Sequence, residues 1–199
     1  MSEDIIAKEV VGGFEPLAAG NYQAVCYGVW DIGIQKGSYE GRVTANQEAV
    51  VGWEANEMAE DGKRHTIHNF YNLTLGKKAN LRRDLTSWRG QEFTAEELKG
   101  FSLKKLIGAN CMLNVIHNEN GKARVSGVAS TPKGLPKLTP ENAPTMPAWI
   151  EKICARAITK EEAEPIWAEA RARRKEQAKE AALAAAAEEE VLPDQEIPF

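Results

Sequence analysis

Residues 65–90 read HTIHNFYNLTLGKKANLRRDLTSWRG, and the change of rhythm inside this stretch decides the fold class. From His65 to Leu75 the residues are aromatic, β-branched and polar in near alternation, the pattern of a strand with two unlike faces. Ile67, Tyr71, Leu73 and Leu75 fall on one face. His68, Phe70, Asn72 and Thr74 fall on the more polar one. After the two lysines the period lengthens. Leu81, Leu85 and Trp88 stand at i, i+4 and i+7, one side of a short helix that Gly90 stops. A strand therefore runs directly into a helix.

On the C-terminal side, FTAEELKG (93–100) places Thr94 as N-cap with Glu97 three residues on, and SLKKLIG adds another turn or two. Two more strands follow, ANCMLNVIHN (109–118) and KARVSGVAS (122–130), joined across Glu119-Asn120-Gly121. On the N-terminal side, YQAVCYGVWDIGI (22–34) is strand-like, with Gly28 and Gly33 marking a bulge or bend. Tyr22, Ala24, Cys26, Trp30 and Ile32 make its expected core face, which leaves Tyr27 outward. A second strand runs from about Val43 to Ala55 after the turn-like KGSYEG, and Asp61-Gly62 turns the chain into His65. Three strands, a helical segment and two strands is the element order of a five-stranded OB-fold barrel, all-β with short helices between strands 3 and 4. Other small barrels and α+β folds share that order.

Residues 132–147, PKGLPKLTPENAPTMP, carry five prolines and mark a boundary. Beyond it the chain is helical in tendency. Thr159 and Glu162 form a second capping box, Pro165 would interrupt or restart the helix, and AEARARRKEQAKEAALAAAA (168–187) has high helix propensity with almost no apolar stripe. It reads as a solvated spacer, with docking through Trp167 as the opposing case. The organisation expected is a lead-in over 1–14, a barrel over 15–135, a Pro-rich linker and helical spacer over 136–190, and an acidic tip over 191–199.

Charge is strongly segregated within a formal net of −4. Residues 1–62 hold 3 Lys/Arg against 11 Asp/Glu, residues 63–137 hold 14 against 5, residues 138–187 hold 8 against 8, and residues 188–199 hold 5 acids and no base. The middle block, at +9, calls for an anionic partner, although two faces of one globule could also neutralise each other. Lys63, Arg64, Lys77, Lys78, Arg82, Arg83, Lys122 and Arg124 sit at positions that would border one groove of a barrel. Tyr27, Trp30, Tyr39, Trp53, Phe70, Tyr71 and Trp88 interleave with them. Cations that track phosphates and rings on which bases stack are what single-strand binders combine. Phe70 and Tyr27 are the outward aromatics by alternation, Trp53 stays open between core and interface, and Trp88 packs its helix on the barrel.

Nothing in the sequence assembles a catalytic site, a metal site or a cofactor site, so the expectation is a non-enzyme. His65 and His68 point to opposite faces of one strand, and with Cys26 and Cys111 they lack the paired spacing of zinc ligands. Asp31, Glu54 and Asp84 have no motif that selects them as an active site or a nuclease cluster, and there is no phosphate-binding glycine loop. Three scattered cysteines, no basic-then-apolar leader and no long apolar run indicate a soluble protein of a reducing cytoplasm.

Over roughly residues 12–135, the stretches GNYQAVCYGVWDIG, NLTLGKKANLRRDLTSWRG, FTAEELKGFSLKKLIGANCMLNVIHNENGKARVSGV and the later PKG resemble a family of phage-encoded replication proteins. These are single-stranded DNA-binding proteins of OB-fold type. LRRDLTSWRG and the LxNVIHNxxGKxRxxV stretch are the most specific of these motifs. Separately, DQEIPF (194–199) is similar to the acidic tip of bacterial single-stranded DNA-binding proteins, usually Asp-Asp-Asp-Ile-Pro-Phe, with Gln195 and Glu196 in place of two acids. The resemblance implies sequence-independent binding of single-stranded DNA in phage-type replication, recombination or repair, in an infected bacterial cytoplasm. It also implies that Asp194, Glu196, Ile197, Pro198 and Phe199 dock a polymerase, helicase, primase or nuclease. A different class of reading is a protein–protein adaptor of a replication complex built on the same barrel.

Overall fold

The computed structural model describes residues 16–190, and the acidic tip lies outside them. Within them the chain forms two compact units. One comprises residues up to Trp30 together with Ala49–Met146, and the other Asp31–Glu48 together with the residues from Pro147 onward. The first two strands, β1 (Gly20–Tyr39) and β2 (Arg42–Met58), each contribute to both.

The first unit holds a five-stranded sheet in the order β3-β2-β1-β4-β5, with β3 Arg64–Asn72, β4 Asn110–His117 and β5 Ala123–Ala129. β1 pairs antiparallel with β4 from Gly20↔Val115 to Val25↔Asn110, and β4 pairs antiparallel with β5, with a register shift at Asn114/Val115. β3 and β5 stand at opposite ends of that order, yet Cα pairs between them come within 8 Å. The β4–β5 turn forms because Asn118 Oδ1 accepts the N–H groups of Asn120 and Lys122 while Gly121 takes φ 70°.

Between β3 and β4 lie α1 (Asn80–Arg89), α2 (Ala95–Lys99) and a 3-10 turn (Leu103–Leu106), as the rhythm of residues 65–108 predicts. Leu81, Leu85 and Trp88 bury one face of α1, and Gly90 ends it at φ 68°. The Thr94/Glu97 capping box is formed in both directions, at 2.9 and 3.2 Å. The core joins Ala24, Cys26, Val51, Trp53, Ile67, Tyr71, Leu85, Trp88, Leu113 and Val128.

Residues 136–146 differ from the linker expected of them. They belong to the first unit, strapped along its sheet by side chains that reach out from the strands. Gln23 Nε2 donates to Pro136 O, Trp30 Nε1 donates to Pro144 O, and the Asn110 side chain exchanges hydrogen bonds with Leu138. Proline stiffness suits a strap as well as a spacer, because pre-set φ angles lower the entropy lost when an irregular segment is held in place.

In the second unit the hairpin turns through Glu40 (φ 51°) and Gly41 (φ 73°), a two-residue turn of the primed type, so both strands extend beyond the ends expected of them. It packs with α3 (Ala148–Cys154) and α4 (Lys160–Glu190). Ile34, Ala45 and Ala163 form a small core with Ile158, Ile166 and Trp167, and Trp167 Nε1 donates to Ala45 O at 2.7 Å. The docked case therefore holds for the start of α4, behind its Thr159/Glu162 capping box. The helix continues through Pro165 without a break, and Arg174–Ala185 are exposed as a spacer would be.

Candidate nucleic-acid interface

The outward face of the sheet in the first unit carries two kinds of aromatic site. On β1, alternation slips around Gly28: Cys26 and Val29 both meet the inner core, while Tyr27 and Trp30 meet each other at 5.4 Å on the other face. Trp30 lies against the backbone at Gly28, since a Cβ there would come 2.2 Å from its ring. A Cβ on Gly52 of β2 would come within 2.8–2.9 Å of Tyr27, His68 and Trp30 together. Two glycines thus make the space in which three rings pack. Trp30, expected in the core, faces the strap instead. Tyr27, expected outward and available, is buried there.

Burial sets the chemistry of this cluster. It pushes the Tyr27 hydroxyl up to about 12, helped by the neighbouring Glu54 charge, so the tyrosine keeps its proton, and its hydroxyl and His68 Nε2 share a hydrogen bond of 2.5 Å. It pushes His68 down to about 4, so the imidazole is neutral at pH 7. Glu54 is fully buried on the same face. Its carboxylate accepts the backbone N–H of Glu141 at 2.8 Å, that of Asn142 at 2.6 Å and Asn142 Nδ2 at 2.9 Å. Arg64 stands 3.7 Å from Glu54, donates to Thr139 O at 2.9 Å and lies 3.1 Å from Glu141 Oε1. In the sequence reading Glu54 has no role and Arg64 borders the DNA groove. Both are clamps on the strap. A glutamate inside the apolar run AVVGWEA was the available signal, because a buried carboxylate needs donors from somewhere.

The remaining interface candidates divide by burial. Trp53 is 1% exposed in the core, with its ring 5.9 Å from Trp88, so no base can reach it and it leaves the stacking set. Arg82 is held by Leu75 O and by Glu92. Arg83 donates to Asp84, whose other oxygen accepts the Tyr71 hydroxyl, a network that anchors α1 to β3 and leaves the Arg83 side chain largely exposed. Phe70 is 47% exposed on the polar face of β3. It lines a groove of about 220 Å³ with Asn72, Thr74, Lys78 and Asn80. Lys77 is exposed beside it in sequence.

A second groove of about 440 Å³ lies between Thr66–His68 of β3 and Gly121–Ala123 of the β4–β5 turn, with Pro16 and Leu17, and it takes in Lys122. Arg124 and Lys63 are exposed on β5 and on the β2–β3 loop. β3 is thus one wall of both grooves, with Phe70 in one and Lys122 in the other.

Among the described residues no group of three or more His, Cys, Asp or Glu side chains gathers as a metal site. Burial raises the Cys26 thiol to about 12 and Cys111 well above its ordinary value, so both remain thiols. No helix among the described residues is long and apolar enough to cross a membrane. No protein family matches the chain, and no curated protein matches it at a significant level.

Proposed function

We propose that the first unit is an OB-type barrel that binds single-stranded DNA without sequence preference. The observation that carries this reading is Phe70, an exposed ring on β3 in a groove with Lys78, next to a second groove that contains Lys122. A flat ring offers stacking to any base, and ammonium groups track phosphates whatever the sequence. The approach of β3 to β5 fits a barrel, and the resemblance of residues 12–135 to phage single-stranded DNA-binding proteins points the same way. In this reading the protein is not an enzyme, and it serves replication or recombination. Asp194–Phe199, outside the described residues, recruit a replication enzyme.

Anisotropy of a labelled oligo-dT tests it. In the first unit Trp53 and Trp88 are buried and Trp30 is under the strap, so none of its tryptophans reports stacking at Phe70 directly. The expected result is tight binding that weakens with salt at about −0.7 in log K per phosphate contact, with duplex DNA far weaker. No binding at low salt rejects the reading and favours the protein–protein adaptor.

A further inference from the structure

We propose that α4 carries a second phosphate-binding surface for single-stranded nucleic acid, formed by Arg174, Lys175 and Lys179 in the second unit. It rests on the DNA-binding reading above but on separate residues. At 100° per residue, Arg171, Arg174, Lys175 and Lys179 share an arc of roughly 140° and extend over roughly 12 Å of helix. Glu169, Glu176 and Glu180 share a narrow arc of roughly 40° on another side. A helix that only needs solvation gains from Glu and Lys mixed at i, i+4. Here Arg171–Lys175, Lys175–Lys179 and Glu176–Glu180 are like-charge pairs at that spacing, each unfavourable in the free helix.

Pairing leaves the face open. Arg171 meets Glu164 and Arg173 meets Glu169, whereas no carboxylate among the described residues forms an ion pair with Arg174, Lys175 or Lys179. All three are exposed. The occupant is a polyanion rather than an apolar partner, because past Trp167 the described helix has no apolar stripe and Leu183 is 74% exposed by itself. The same absence rules out a membrane-lying helix, which needs an apolar face opposite its cations. A band of cations along a continuous helix suits a phosphate backbone.

The experiment uses the full chain, a long labelled oligo-dT and a salt series. Arg174→Gln, Lys175→Gln and Lys179→Gln together keep helix propensity. They should flatten the slope of log K against log salt by about 2, at about −0.7 for each of three lost contacts. Helicity by circular dichroism should be unchanged. Glu169→Gln, Glu176→Gln and Glu180→Gln together should move affinity little. An unchanged slope in the basic-face variant overturns this surface alone. So does a gain in the acidic-face variant as large as the loss in the basic one, since net charge would then suffice. Failure of the unaltered chain to bind oligo-dT overturns both this surface and the function it rests on.

Discussion

Two aromatic sites on one sheet face have opposite fates. Tyr27, Trp30 and His68 pack ring to ring beneath residues 136–146, while Phe70, on the same face of β3 as His68, stays in an open groove beside Lys78. Residue type does not separate them, since both sites are aromatic on a β surface. The covering segment does. Glu54 and Arg64 draw the strap onto one site with charge-assisted hydrogen bonds, whereas the Phe70 ring remains 47% exposed. Availability for a ligand is therefore decided by a carboxylate and a remote loop.

The largest expected effect breaks that distinction at its clamp. Glu54→Ala leaves the amides of Glu141 and Asn142 without their acceptor and Arg64 without its buried counter-charge. Removing one partner of a buried charged network costs about 3–5 kcal/mol. Chemical denaturation should show the loss, and hydrogen exchange should quicken first at the Glu141 and Asn142 amides. A stability unchanged within about 0.5 kcal/mol would mean that the strap is held by its other hydrogen bonds and its prolines without Glu54.

Next in size is Gly52→Ala. Its methyl would lie 2.8–2.9 Å from Tyr27, His68 and Trp30 at once, so the ring cluster must shift. Overpacking of this kind costs about 1–3 kcal/mol. The thermal midpoint should fall while oligo-dT affinity stays as it was, because Phe70 lies outside the cluster. Phe70→Ala should do the converse. It should remove about 1–3 kcal/mol of single-strand affinity and leave melting nearly unchanged, since the ring is already half in solvent. Equal affinity in this variant would show that bases do not stack there.

Much of this division was legible in the residues, and the illegible part lies beyond what alternation along a single strand can tell. Leu81, Leu85, Trp88 and Gly90 announce α1 because helical period and stop are local properties, and so are the two capping boxes. The outward placement of Phe70 follows from alternation along a single strand. Alternation misplaces Tyr27 and Trp30, and it leaves Trp53 open because β2 is apolar on both faces around it. Alternation says which side of a strand a ring is on, but not whether about a hundred residues later the chain returns to cover that side. Nor does alternation locate a slip such as the one around Gly28, which moved Trp30 from the expected core face to the strapped one.

The smallest expected effect uses pH to act on the covered site only. His68 is held at about 4 against an ordinary value near 6.5, so folding favours its neutral form. Between those values the unfolded chain binds a proton that the folded chain does not, and stability rises with pH. The contribution is complete above about pH 6.5 and is lost as pH falls towards 4. The half-buried ring keeps some contact with water, so the loss is about 1 kcal/mol rather than what the whole displacement would imply. A protonated ring can only donate at Nε2, so protonation of His68 and its hydrogen bond with the Tyr27 hydroxyl are coupled. His68→Asn should therefore flatten the stability profile across this window relative to the unaltered chain. Oligo-dT affinity corrected for folded fraction should show no matching step, because Phe70 and Lys78 lie in a groove that His68 does not line. A step in affinity that vanishes in His68→Asn would show that the covered and open sites act as one.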